Sequence, residues 1–237
     1  MTQINKKNTL IVMCNGPSLG AIDFSLLEGF DTFGLNSAYR YYQENDWWPT
    51  YFGCFDFVVT RSHMKEFKAL CEGDNPIKRF FFLLEFTDSP RFTLIENLIP
   101  FQTSNKWNNS EEDFKNFNDS GNSGSNACQV GACLGYKKII LLGADCNYVE
   151  RVAGSEVVGN GIYQIQEDPE DNPNYWFKGY QKKGDVYCSP SREHHQRMGW
   201  HTLASRSKEN GLDIVNCSPQ TTLKCFRDST LKKELGL

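Results

Sequence analysis

Four hydrogen-bonding residues stand where apolar runs stop: Asn15 after 9–14, Asn36 after 31–35, Asp56 after 49–54 and Asp145 after 138–144. Uncharged and acidic groups at strand ends suit a ribose and a base edge better than a bare phosphate, and any one of them also reads as an ordinary turn or cap residue. Asn15 opens Asn15-Gly16-Pro17-Ser18, a tight turn followed by residues that suit a helix entry. Such a junction is either a phosphate-binding turn or a plain strand-to-loop connection. Asn122-Ser123-Gly124-Ser125 precedes a run of small residues. Its hydroxyls and free amides make a second phosphate candidate at a positive helix end, with a simple N-cap as the equal alternative. His194, His195 and His201 cluster late in the chain, with His63 apart. Spaced by seven, His194 and His201 share a helix face. Neutral imidazole is well poised to take a hydroxyl proton, so a general base is the functional reading and an exposed surface pair the bland one. HxxxH spacing, a P-loop and an Asp-x-Asp motif are all absent from the sequence.

These residues must be positioned by strands alternating with helices. Strands are predicted over 9–14, 31–35, 49–54, 80–84, 138–143 and 212–216, with helices near 38–44, 57–72, 125–134 and 192–210. That alternation indicates a parallel sheet buried on both faces. From about Pro100 to Gly121 the chain turns rich in Asn, Ser, Asp and Glu and reads as a surface loop. The stretch 146–193 reads as a long irregular insertion, a functional lid or small subdomain within one domain spanning 1–237. The tail from Thr222 is basic and weakly helical, and its lysines are solvated or touch an anionic membrane surface.

At 237 residues the chain is long enough for one substantial core. A net charge of −4 argues against a nucleic-acid partner. No apolar run approaches a membrane span, and the first eight residues carry no apolar secretion core. Nine cysteines without a CxxC pair suit buried thiols in a reducing compartment, not a zinc site or a disulfide framework. A cytoplasmic location follows, peripheral at the inner membrane if the tail touches lipid.

Asn15-Gly16-Pro17-Ser18-Leu19, then Phe30-Asp31-Thr32-Phe33-Gly34-Leu35-Asn36, Ser123-Gly124, Leu134-Gly135-Tyr136-Lys137-Lys138-Ile139 and Gly143-Ala144-Asp145 resemble the bacterial sialyltransferases of glycosyltransferase family 42. The same elements are similar to the motility accessory factors and the hydroxymethylpterin pyrophosphokinase-like proteins. The resemblance implies a Rossmann-like, GT-A-like α/β domain with a mobile lid. It also implies metal-independent, inverting transfer of sialic acid or a related sugar acid from a CMP-linked donor to a glycan or glycolipid hydroxyl, with no cofactor. Carried over by position, Asn15 and Asn36 hold the nucleotide; Gly16 and Ser18 of the same turn and the strand-end Asp56 are further substrate-binding candidates. Asn122, Ser123 and Gly124 lie near the donor's phosphate or sugar, and Asp145 at the nucleotide edge. The base is His194 or His195, and lid tyrosines on the leaving phosphate fall at Tyr148 and Tyr163. Two positions depart from the family: Cys54-Phe55-Asp56 replaces an Asn, and Asn122 replaces a Thr. The alternatives are a pyrophosphokinase-like enzyme using ATP and magnesium and a non-catalytic nucleotide-binding accessory protein. A homo-oligomer is compatible with all three.

Overall fold

Thr9–Met13 forms β1 and buries every one of its side chains, as the central strand of a two-faced sheet must. Side chains alternate along a strand, so Leu10 and Val12 enter one core while Ile11 and Met13 enter the opposite one. The computed structural model describes residues 5–87, 95–101, 103–104, 117–118, 121–148, 151–188, 193–219 and 221–237. After β1 come β2 (Asp31–Leu35), α1 (Tyr39–Asn45), β3 (Tyr51–Cys54), α2 (Phe57–Ser62), α3 (Met64–Glu72), β4 (Arg79–Leu83), α4 (Leu84–Thr87) and β5 (Leu98–Phe101). They are followed by β6 (Thr103–Ser104), β7 (Phe117–Asn118), α5 (Ser123–Cys133), β8 (Lys138–Leu142), β9 (Ser155–Gly159), β10 (Ile162–Ile165) and β11 (Val186–Cys188). Last are α6 (Glu193–Glu209), β12 (Asp213–Asn216), β13 (Arg227–Asp228) and α7 (Leu231–Leu235).

Eight strands form one sheet in the order β13-β12-β8-β1-β2-β3-β4-β5. Every pairing in it is parallel. The chain builds outward from β1 to β5, then returns to lay β8 on the free side of β1, with Met13 opposite Leu142. This reversal is the topological switch point, where an open parallel sheet leaves a crevice beyond its strand ends. On one face, α5 contributes Ala127, Cys128 and Val130 and α6 contributes Trp200 and Leu203. The other face is covered by Tyr39 and Tyr42 of α1, Phe67 and Leu70 of α3, and Leu231 of α7.

The expected parallel α/β sheet is present, and four local expectations change. Leu98–Phe101 is an edge strand paired with β4, not the start of a surface loop; an edge tolerates Pro100 because one side of the strand has no ladder to break. The single helix expected over 57–72 is two, broken at His63, whose ring is buried. The tail supplies β13 to the main sheet before α7. The described part of the insertion is folded: β9, β10 and β11 form an antiparallel sheet around Val152, Ile165 and Tyr187. All nine cysteines are free thiols, and seven of them are buried. Among the described residues no helix is long and apolar enough to cross a membrane.

Candidate functional site

The loops after β1 and β8 are zipped together at the switch point. The Cys14 amide donates to Leu142 O at 2.8 Å and the Gly16 amide to Gly143 O at 2.9 Å. A Cβ on Gly16 would lie 2.6 Å from Gly143 O, and one on Gly143 would lie 2.3 Å from Cys14 O. Both positions therefore require glycine, and Gly143 also has a φ of +68°. Asp145 completes the fastening. Its carboxylate accepts the Ser18 amide at 2.8 Å and the Ser18 hydroxyl, and it is 2 % exposed. Gly16, Ser18 and Asp145 thus shape the rim from behind and do not line the crevice itself.

The crevice is a cavity of about 700 Å³. Asn15 and Asn36 line it from the ends of the adjacent strands β1 and β2, with Asp56 beyond β3. The Asn15 Nδ2 donates to Leu35 O at 3.1 Å, which fixes the orientation of the amide. Its Oδ1 is buried without a partner, and so is the Oδ1 of Asn36. Asn36 has a φ of +55°, a left-handed conformation that asparagine tolerates better than most residues. Buried acceptors left unmatched cost free energy unless a ligand supplies donors. Asp56 caps α2, its Oδ1 accepting the amides of Val58 and Val59 at 2.8 and 3.0 Å.

Asn122, Ser123 and Gly124 bring the N-terminus of α5 to the same cavity. Asn122 is an N-cap, its Oδ1 accepting the Ser125 amide at 2.8 Å. Helix geometry leaves the first amides of α5 pointing out of the helix, at the positive end of its dipole. A Cβ on Gly124 would sit 2.8 Å from both Cys14 Sγ and the Trp200 ring. That close approach is what brings the helix end over β1. Burial pushes the Cys14 thiol up, and that of Cys146 up to about 12. These two thiols are therefore neutral and poor nucleophiles.

The insertion supplies the facing wall, with Tyr148, Tyr175, Tyr180 and Tyr187 lining the cavity. Tyr148 is 38 % exposed. Tyr175 and Tyr180 are stacked with centroids 3.8 Å apart. Burial raises the pKa of both, keeping their hydroxyls protonated as hydrogen-bond donors. Tyr163 stacks on Tyr187 within the small sheet and does not line the cavity. Tyr175 and Tyr180 were not singled out by the motifs; the only sequence signal for them is the tyrosine-rich character of the insertion.

His194 and His195 fall in the first turn of α6, and their side chains lie outside the described residues. Further along the same helix Trp200 lines the cavity. Arg197 donates to Cys146 O at 3.3 Å and to the Thr222 hydroxyl at 3.0 Å, tying α6 to the loop after β8. Among the described residues no group of three or more His, Cys, Asp or Glu is placed to hold a metal ion.

No protein-family model matches the sequence, and no curated protein matches it. Solved structures do. The sialyltransferase CstII from Campylobacter jejuni, in complex with the substrate analogue cytidine-5'-monophosphate, is 17% identical with a TM-score of 0.53, covering 98% of this chain and 87% of that one. Its complex with CMP-3FNeuAc gives 0.51 at 17% identity, covering 93% and 85%. The MAf glycosyltransferase from Magnetospirillum magneticum AMB-1 gives 0.54 at 15% identity over 98% of this chain. Only 35% of that protein is covered, so the chain spans about a third of its length. The likeness is one of fold, and it falls on both the sialyltransferases and the motility accessory factors that the motifs resemble.

Proposed function

We propose that the chain is an inverting, metal-independent glycosyltransferase that moves sialic acid or a related sugar acid from a CMP-linked donor to a hydroxyl of a glycan or glycolipid. The observation that carries this reading is the pair of unmatched amide oxygens, Asn15 Oδ1 and Asn36 Oδ1, beside the N-terminus of α5 at the switch point. Acceptors of this kind match the exocyclic amine of cytosine or the ribose hydroxyls, while the helix end matches a phosphate. A fold shared with proteins solved with CMP supports the same assignment.

The chemistry follows from the groups around the cavity. The acceptor oxygen forms a bond to the anomeric carbon as that carbon's bond to the phosphate oxygen breaks, and CMP leaves with the electron pair. Protonated tyrosine hydroxyls on the insertion, Tyr148 with Tyr175 or Tyr180, stabilise the charge that develops on the phosphate. These replace the Tyr148 and Tyr163 pair expected by position, because Tyr163 stacks outside the cavity. His194 or His195 takes the acceptor proton. The insertion at 146–193 acts as a lid that excludes water and limits donor hydrolysis.

A thermal-shift screen of CMP, UDP, GDP, CMP-sialic acid and ATP, each with and without magnesium, tests the reading. Selective stabilisation by CMP and CMP-sialic acid, unaffected by EDTA, is expected. Stabilisation by ATP only with magnesium would transfer the chain to the pyrophosphokinase-like class. CMP binding without transfer to any acceptor would make it an accessory protein.

A further inference from the structure

A largely desolvated ion pair, separate from the strand-end groups, joins α1 to the insertion beside the tyrosine wall. Arg40, on α1, and Asp185, one residue before β11, form a bidentate pair: Nη1–Oδ2 is 2.5 Å and Nη2–Oδ1 is 2.9 Å. Their side chains are only 13 % and 11 % exposed. Arg40 Nη1 also donates to Tyr180 O at 2.9 Å, and the Lys182 amide donates to Asp185 Oδ2 at 2.8 Å. Behind the pair, His63 Nε2 lies 3.5 Å from Asp185 Oδ1 and His63 Nδ1 lies 3.0 Å from the Tyr39 hydroxyl. The Val186 amide donates to Ser62 Oγ at 2.9 Å.

Three features separate this cluster from the ordinary surface ion pairs of the chain. Lys224–Asp228 joins residues four apart with side chains more than half exposed, and such pairs contribute little. Arg40 and Asp185 are 145 positions apart and join the main sheet's layer to the insertion. The cluster also reaches the cavity, which Asp185 and His63 line together with Tyr180, Gln181 and Tyr187. Among the described residues the insertion's own core is small, three buried residues with Tyr163 packed on them. Tyr180, with Tyr175 and Phe177 beside it, also packs into the core cluster of Tyr39, Tyr42 and Phe52, a non-directional contact to which the bidentate ion pair adds a fixed geometry.

We propose that Arg40 and Asp185, with His63 and Tyr39 behind them, are positioning residues that set the tyrosine wall over the cavity and thereby set its affinity for a nucleotide. The affinity part rests on the nucleotide-binding reading above; the anchoring part does not. Loss of one partner leaves the other charge buried and uncompensated, whereas replacing both by apolar groups removes that penalty.

The test compares wild type, Asp185→Asn, Arg40→Met and the double variant Arg40→Met/Asp185→Leu. Amide hydrogen exchange over 172–188 and CMP affinity by calorimetry are read on each. Both single variants are expected to lose protection over 172–188 and to bind CMP about tenfold more weakly, a change of ~1.4 kcal/mol. The double variant is expected to regain protection and most of the affinity, a rescue that mere loss of packing does not produce. Single variants with wild-type protection overturn the anchor. Lost protection with CMP affinity within about twofold of wild type, below ~0.5 kcal/mol, overturns the link from wall to ligand. If wild type itself ignores CMP, the nucleotide reading and its affinity consequence fall, and the exchange data alone decide the anchor.

Discussion

Ser18 donates both its amide and its hydroxyl to the carboxylate of Asp145, 127 positions further along the chain. The contact joins the turn after β1 to the turn after β8 across the switch point, where Gly16 and Gly143 already meet backbone to backbone. Hydrogen bonds to a buried charge are worth about 1.5–3 kcal/mol each. Asp145→Ala is therefore expected to destabilise the protein by about 3 kcal/mol and Ser18→Ala by roughly half that, measured by urea unfolding. A loss under about 1 kcal/mol for Asp145→Ala would show that the turns hold each other without it.

Asn36 combines a left-handed backbone with an unmatched amide oxygen, and the two roles can be separated. Glycine keeps the backbone freedom and removes the amide. Asn36→Gly is expected to fold with nearly unchanged stability and to bind CMP about tenfold more weakly, the effect of one hydrogen bond of ~1–1.5 kcal/mol. Asn36→Ala adds about 1–2 kcal/mol of backbone strain to the same loss of affinity. Wild-type CMP affinity in Asn36→Gly would remove this amide from the ligand's contacts.

Gly124 brings α5 against Cys14 and Trp200, with room for no Cβ. Gly124→Ala is expected to cost about 1–3 kcal/mol as the helix end is pushed off β1. Adding Cys14→Ala relieves one of the two clashes, so the double variant should recover part of the loss in thermal unfolding. No recovery would mean that the clash with Trp200 dominates.

The two histidines of the first turn of α6 carry the proton-transfer role in the proposed mechanism. Changing both His194 and His195 to Ala should abolish transfer to a glycan acceptor and leave CMP affinity nearly intact. Each single variant then identifies the base. Full transfer by the double variant would sink the assignment.

His63 is buried beside Tyr39, Arg40 and Asp185, with Glu66 on the next helix. Burial lowers its pKa, Asp185 and Glu66 oppose the shift, and Arg40 adds to it. The unfolded imidazole titrates near ~6.5, so below that pH the unfolded chain binds a proton that the folded chain refuses. Stability should fall as pH drops from about 7 to about 5. His63→Gln, which keeps a polar partner for Tyr39 and does not titrate, should flatten the part of this decline that His63 causes, as read from Tm against pH. Parallel curves for the two proteins would exclude His63 as the source.

The parallel α/β sheet and the edge where its strand ends open a crevice are legible in the apolar runs alone. Strands buried on both faces are written as continuous apolar runs, and parallel strands place their final residues on one edge, so Asn15, Asn36 and Asp56 could be gathered without coordinates. Leu98–Phe101 and Arg227–Asp228 were illegible because a four-residue edge strand holding a proline and a two-residue strand leave no periodicity to read. Only the tertiary structure decided which strand-end carboxylate meets the cavity. Asp56 lines it, while Asp145 turns behind the rim to hold Ser18. It also decided that Tyr175 and Tyr180, and not Tyr163, face the crevice. The physical reason is the same in both cases. Local pattern fixes whether a backbone extends or coils, but where a side chain points depends on partners more than a hundred residues away, as Ser18 shows for Asp145.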